Sequence, residues 1–272
     1  MPDRPAAGFA RLALPAHWRA VDLMSDLHLS EHLPRTTAAW VRWLEGTDAD
    51  AIVLMGDVFE VWIGDDLPPD AFEAHCLDAL ARARCPVLWM PGNRDFLLGA
   101  EAMVRAGLQS LQDPLIVDGP GDEPLLLTHG DELCQGDTPY QAFRREVRSA
   151  DWQQSFLRRP RAERQALAAA IRAESRQRHE VRAMGQGMAE GDIDTLAAQD
   201  WLGASGCRRM VHGHTHRPGR TDWAHGTARE VLSDWDLDDP LRPRAEVMRW
   251  TADGLARIPV TLEGAVPRIT RP

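Results

Sequence analysis

The chain repeats a simple alternation. A short, nearly unbroken apolar run gives way to a polar or glycine-rich break, then to a longer segment with helical spacing. Five such runs stand out, at residues 19–24, 51–55, 86–90, 124–127 and 207–211. Runs this short and this apolar suit strands buried on both faces of a sheet. Segments 36–45 and 70–84 lie between them with helical character, and strand alternating with helix predicts an α/β layered fold. The alternation breaks over 138–185, a stretch rich in Ala, Arg, Glu, Gln and Leu whose only prolines are Pro139 and Pro160. It predicts two or three helices inserted before the last of the five strands. Beyond His216, short strand-like pieces at 229–232, 245–250 and 258–262 predict an edge of a second sheet. The expected division is a core of 20–137 and 186–265, an inserted helical cap over 138–185, and an N-terminal extension over 1–19.

Each of the five runs ends in a short loop carrying potential metal ligands. In order they are Asp26-Leu27-His28, Gly56-Asp57, Gly92-Asn93-Arg94-Asp95, His129-Gly130-Asp131 and Gly213-His214-Thr215-His216. Ligands at strand ends stand on rigid elements and converge at the carboxyl edge of a sheet, where α/β folds place their sites. In Asp-x-His and His-x-His, both side chains of the pair point the same way if the loop stays extended. Carboxylate, imidazole and an amide oxygen without thiolate suit Mn, Fe or Zn at a reactive site better than a structural zinc cage. Any one of these motifs alone is more often a turn or a core pair. Five in order, each at a strand end, are not.

Charge adds one feature. The 272 residues carry a net −10, which argues against a general nucleic-acid binder. Every basic side chain is Arg, so lysine chemistry is absent. Within 138–185 there are eleven Arg and five acidic residues, a net of +6 that leaves −16 for the rest. A basic insertion on an acidic body fits either a solvated helix face or a contact with an anionic ligand or membrane surface. No apolar run reaches the roughly 18–20 residues of a membrane span, and the first 20 residues lack the apolar stretch of a secretion signal. The four cysteines form no Cys-x-x-Cys pair, and the expectation is reduced thiols in a cytoplasmic protein.

The ordered motifs resemble those of the calcineurin-like metallophosphoesterases, over most of the chain from Asp22 to Pro218. The resemblance implies a four-layer β-sandwich flanked by helices, with the cap inserted. It also implies two metals: Asp26, His28, Asp57 and His216 for the first, and Asp57 (bridging), Asn93, His129 and His214 for the second. Paired cations of this kind activate water and neutralise charge on phosphoryl oxygens. Many relatives carry His after the asparagine as a proton donor; here the residue is Arg94. A guanidinium cannot serve as an acid near neutral pH, but its fork can hold phosphate oxygens, which favours a leaving group that is itself a phosphate.

Longer strings narrow the likeness. Asp26-Leu27-His28-Leu29, Gly56 through Asp66, Gly92-Asn93-Arg94-Asp95-Phe96, His129 through Cys134 and Val211 through Pro218 resemble the UDP-2,3-diacylglucosamine diphosphatase family of lipid A biosynthesis. They include Phe59, Trp62 and Cys134, which metals do not demand. This resemblance implies hydrolysis of the pyrophosphate of UDP-2,3-diacylglucosamine by attack on the α-phosphorus, with two Mn2+ per chain. It implies Asn93 and Arg94 as catalytic groups, and Asn93, Arg94, Asp137, Ser175, His179, Arg182 and His214 as substrate-binding positions. Two of the three cap positions depart from the family's Ser-x3-Asn-x2-Lys pattern, at His179 and Arg182. A peripheral place on the cytoplasmic face of the inner membrane, with no nucleic acid and no obligate protein partner, is the accompanying expectation. The rival readings are another two-metal phosphodiesterase or nucleotide pyrophosphatase of the superfamily, and a non-catalytic metal-binding scaffold.

Overall fold

The computed structural model describes residues 8–184, 191–263 and 266, with the backbone alone over 174–184. Its strands are β1 (Ala10–Ala13), β2 (Ala20–Met24), β3 (Ala51–Met55), β4 (Val87–Met90), β5 (Leu108–Ser110), β6 (Leu115–Asp118), β7 (Leu125–Thr128), β8 (Arg209–His212), β9 (Gly219–Asp222), β10 (Ala228–Val231), β11 (Glu246–Thr251) and β12 (Gly254–Pro259). The helices are α1 (Pro34–Gly46), α2 (Phe72–Ala81), α3 (Ala100–Ala106), α4 (Thr138–Val147), α5 (Ala150–Leu157), α6 (Arg161–Met184) and α7 (Thr195–Ser205). Two six-stranded sheets form, in the orders β1-β6-β7-β8-β10-β9 and β12-β11-β2-β3-β4-β5.

The layers follow from alternation along the strands. In β2 and β3, Val21, Leu23, Ala51, Val53 and Met55 face the other sheet and pack with Leu125, Leu127 and Val211. Their neighbours Met24, Ile52 and Leu54 face outward onto Trp40, Trp43 and Leu44 of α1 and Leu77 and Leu80 of α2. On the other sheet, Ile116, Leu126 and Met210 face outward onto Ala198, Trp201 and Leu202 of α7. Both sheets are thus covered on both faces, which is why the five runs carry so few polar residues. The result is the expected four-layer α/β sandwich.

The sheet formed by β2, β3, β4 and β5 is parallel through these four strands, and β7, β8 and β10 are parallel in the other. Their carboxyl ends therefore meet at one end of the sandwich, and all five ligand loops lie there.

Three points differ from the sequence expectation. Ala10–Ala13, within the segment expected as an extension, forms β1 and pairs with β6 at a sheet edge. The pieces after His216 make two edges: β10 and β9 extend one sheet, and β11 and β12 extend the other. The last strand also ends at Pro259, short of the expected 262. The insertion forms three helices, α4, α5 and α6. It is tied to the core by Phe156, which joins the core cluster, and by Arg164. Arg164 is buried and donates to the Ile63 carbonyl and the Asp66 carboxylate.

Candidate metal centre

Backbone pairing continues past the strands into the loops and fixes the ligands. Asp26 N–H donates to the Gly56 carbonyl at 3.1 Å and His28 N–H to the Asp57 carbonyl at 3.0 Å, joining the first two loops. Gly213 N–H donates to the His129 carbonyl at 3.0 Å, joining the last two. His129 Nδ1–H then crosses between the sheets to the Met55 carbonyl at 3.0 Å. Asp26, His28, Asp57, His214 and His216 all adopt left-handed backbone, with φ of 53°, 47°, 54°, 63° and 51°. Such backbone is unfavourable for residues with side chains, and its clustering at one spot marks a functional site. The loops also pass so close that a Cβ at Gly92 would fall on Asp57 Oδ1, which leaves room there only for glycine.

All seven residues expected as metal ligands meet. His28 Nε2 and His216 Nε2 are 3.1 Å apart, and Asp26 Oδ1 is 3.3 Å from His216 Nε2 and 3.9 Å from His28 Nε2. On the other side, Asp57 Oδ1 is 3.7 Å from His129 Nε2. Asn93 Oδ1 lies 3.0 Å from His129 Nε2 and 2.8 Å from His214 Nδ1. The triads Asp26/His28/His216 and Asp26/Asp57/His129 each bring their donor atoms within 4.8 Å of one another.

These donors fit cations. Asp26 Oδ2 accepts from Ser25 Oγ at 2.6 Å and His214 N–H at 2.9 Å, while buried Asp26 Oδ1 has no hydrogen-bond partner among the described residues. One oxygen is fixed and the other is left for a ligand. In its neutral form, with the proton held on Nδ1 by Met55, His129 turns the Nε2 lone pair toward the Asn93 carbonyl oxygen. Acceptor against acceptor is repulsive in a buried site, and a cation relieves it.

Electrostatics agree. Burial holds His28 and His214 down to about 4, so both are neutral donors at neutral pH. Burial also opposes the charged form of His129, but Asp57, Asp26, Asp131 and Asp113 outweigh it and raise the imidazole to about 9. His216 is raised by Asp26 and Asp234 against its burial, and Asp26 is held well below the usual carboxylate range by His216, His129 and His28. Without metal, protons take up the negative charge that a cation would otherwise balance.

Residues beside the ligands position them. Glu60 Oε2 stands 2.9 Å from His28 Nδ1 and also pairs with Arg172 of α6. Asp95 is fully buried and accepts from Val58 N–H and Gly92 N–H, both at 2.8 Å, clamping the loops of Asp57 and Asn93 together. His212 is buried with Nδ1 at 2.9 Å from the Gly213 carbonyl. Asp65 bonds Trp62 Nε1 and the Gly99 and Ala102 amides, so it caps α3 rather than meeting a metal.

Arg94 N–H donates to Asp57 Oδ1 at 2.8 Å, and its Nε lies 4.0 Å from Asp57 Oδ2. From Asn93 and Arg94 a groove of about 840 Å³ runs under the cap, lined by Trp62, Phe96, Tyr140, Phe143, Val147, Trp152, Phe156 and Ile171 among others. Arg94, Arg144, Arg148 and Arg172 stand along it. The groove therefore has a cationic mouth at the ligand cluster and an apolar body. Asp137, expected to bind substrate, caps the N-terminus of α4 by accepting from Tyr140 N–H at 3.1 Å. Ser175, His179 and Arg182 lie outside the residues whose side chains are described.

Glu60, Arg148 and Arg172 were not singled out by the sequence as site residues. Glu60 lies inside a string that was noticed, but its partners His28 and Arg172 are distant in the chain. Arg148 and Arg172 are two of eleven arginines in one segment, and spacing does not distinguish them.

A cluster of imidazole, carboxylate and amide donors able to hold divalent cations at the mouth of an α/β sandwich suits phosphoester hydrolysis. The model of the calcineurin-like phosphoesterases matches residues 20–218, and the chain belongs to that family. Among its relatives is a protein of Xanthomonas campestris pv. campestris (strain 8004) named UDP-2,3-diacylglucosamine hydrolase, 42% identical over 86% of this chain and 96% of the relative. Proteins of the same name from Stenotrophomonas maltophilia (strain K279a) and Aromatoleum aromaticum are 40% and 38% identical. These matches cover 86% and 85% of this chain, and 98% and 93% of the relatives. The chain is thus a metal-dependent phosphoester hydrolase.

Proposed function

We propose that this hydrolase cleaves the pyrophosphate of UDP-2,3-diacylglucosamine, giving UMP and 2,3-diacylglucosamine 1-phosphate. The observation that carries the reading is the groove. Its cationic mouth opens on Asn93 and Arg94, while Phe143, Val147, Trp152, Phe156 and Ile171 offer an apolar body. A substrate with a pyrophosphate at one end and acyl chains at the other matches both parts. The relatives' shared name supports the same substrate.

Asp26, His28, Asp57 and His216 would hold one cation, and Asp57, Asn93, His129 and His214 the other; two Mn2+ is the proposed complement. When bound, divalent cations supply water acidified to a working nucleophile and neutralise charge on phosphoryl oxygens. The oxygen of water attacks the α-phosphorus, and the bond from that phosphorus to the bridging oxygen breaks. The bridging oxygen leaves with the diacylglucosamine phosphate and, as a phosphate oxygen, needs little protonation. Arg94 suits this chemistry because its guanidinium stays charged and aims at developing negative charge instead of delivering a proton. Burial of His28 and His214 keeps them neutral.

The proposal extends to location, at the cytoplasmic face of the inner membrane. Among the described residues no helix is long and apolar enough to cross a membrane. Leu157 and Leu167 are exposed on the cap beside Arg158 and Arg159. Exposed apolar and cationic side chains on the cap favour contact with an anionic bilayer. Purified protein with Mn2+ is expected to release UMP from UDP-2,3-diacylglucosamine. Turnover of bis(p-nitrophenyl) phosphate or cyclic nucleotides without UMP release would assign it to another two-metal phosphodiesterase, and no turnover of any ester to a scaffold.

A further inference from the structure

One fully buried carboxylate lies outside the ligand set and yet joins it to the cap. Asp131 follows His129 and Gly130 on a short 3-10 turn, and its side chain has no solvent exposure. Burying a charge this completely is costly unless partners satisfy it. Partners from α4 satisfy Oδ2, while Oδ1 has no hydrogen-bond partner among the described residues. Tyr140 Oη–H donates to Asp131 Oδ2 at 2.8 Å, and Arg144 Nε–H donates to the same oxygen at 2.9 Å. Arg148 Nη2 stands 3.8 Å away and donates to the carbonyl of Gly92, beside Asn93, at 2.8 Å. Gln141 of α4 adds a bond to the Asp131 backbone carbonyl at 2.8 Å.

Tyr140, Arg144 and Arg148 all line the groove. Tyr140 also stacks on the His214 ring, with centroids 5.9 Å apart and an interplanar angle of 28°. The wall of the groove and the ligands His129, Asn93 and His214 are therefore held in one frame whose hub is a single carboxylate. We infer that Asp131 is a positioning residue: it keys α4 to the ligand loops and so sets the distance between the bound apolar half of the substrate and the bond to be cut. Which half the groove holds rests on the function proposed above; the keying itself does not. A misplacement of the order of 1 Å between a binding wall and a reacting centre can cost about a hundredfold in rate.

The test pairs Asp131→Asn with Tyr140→Phe/Arg144→Gln, which removes the donors and leaves the carboxylate. Hydrogen exchange of the Mn2+-loaded full-length proteins reads the coupling without any substrate. Both variants are expected to exchange the amides of α4 at least about tenfold faster than wild type, with β7 and β8 unchanged. Steady-state kinetics on UDP-2,3-diacylglucosamine is expected to show kcat lowered about a hundredfold by Asp131→Asn, with KM within about threefold. Unchanged exchange in α4 would overturn the inference. So would α4, β7 and β8 loosening together, which would make Asp131 a general support of the fold. If Asp131→Asn does not fold, the double variant decides by the same exchange readout. Failure of wild type to release UMP would instead refute the proposed substrate, and the exchange result would still decide the coupling.

Discussion

Replacing Arg94 with alanine separates charge stabilisation from binding more cleanly than any other change at the site. The Arg94 backbone N–H bonds Asp57 Oδ1, and alanine keeps that bond, so the loop carrying Asn93 is expected to hold its place. What is lost is a guanidinium whose Nε stands 4.0 Å from Asp57 Oδ2, at the groove mouth. Removing one preorganised donor from a transition state typically costs about 10²–10³ in kcat, or about 3–4 kcal/mol. Arg94→Ala is therefore expected to lower kcat and kcat/KM together by about 10²–10³, because the contact strengthens only as charge develops. Arg94→Lys keeps a point charge and loses the fork, and an intermediate loss of about tenfold to thirtyfold is expected. The assay is UMP release at saturating Mn2+, so that a weakened cation site is not mistaken for a catalytic defect. A rise in KM with kcat unchanged would refute the reasoning, as would full recovery at higher metal.

Other expectations follow from the same geometry. Asn93→Ala and His129→Ala each remove a ligand from one position, so metal analysis of the purified variants is expected to find one cation per chain where wild type holds two. Two tightly held cations in either variant would contradict the ligand assignment. His129, raised to about 9, must lose a proton when metal binds. Cation affinity should thus climb about tenfold per pH unit below about 9 and then level off, as titration calorimetry in buffers of different ionisation enthalpy would show. The sign for stability is the reverse. A folded-state pKa above the unfolded value of about 6.5 contributes stability that is fully present below 6.5 and lost as pH rises to about 9. Metal-free protein should therefore melt lower at pH 9 than at pH 6.5, and metal-loaded protein should not follow it. Ala168→Trp fills the groove beside Ile171 and Arg172, and should raise KM for the diacylated substrate about tenfold or more. An unchanged KM would place the acyl chains elsewhere.

The loops that carry the candidate ligands were legible because the five strands before them are short, apolar on both faces and ended by polar residues. Each motif therefore sat where a break in hydrophobicity pointed. β1 and β5 were not seen, since four and three residues with partly exposed side chains leave no run to notice. The two-sheet destination of the last strands was invisible for a different reason: pairing of β10 with β8 and of β11 with β2 is decided by packing across the chain. The same holds for the supporting carboxylates. Asp95 stood in a motif already noticed, but its clamp on Val58 spans 37 residues, and the bond from Arg148 to Gly92 spans 56. Local pattern shows where chemistry can be placed, whereas the contacts that hold it in register belong to the folded chain.

The claim at the centre of this account is that water attacks the α-phosphorus of a nucleotide–lipid pyrophosphate at the cluster around Asp57. Hydrolysis of UDP-2,3-diacylglucosamine by the Mn2+-loaded protein in 18O-labelled water, with both products examined by phosphorus NMR, tests it directly. One 18O in UMP and none in the diacylglucosamine phosphate is the predicted result. Label in the lipid phosphate, or no release of UMP at all, would contradict it.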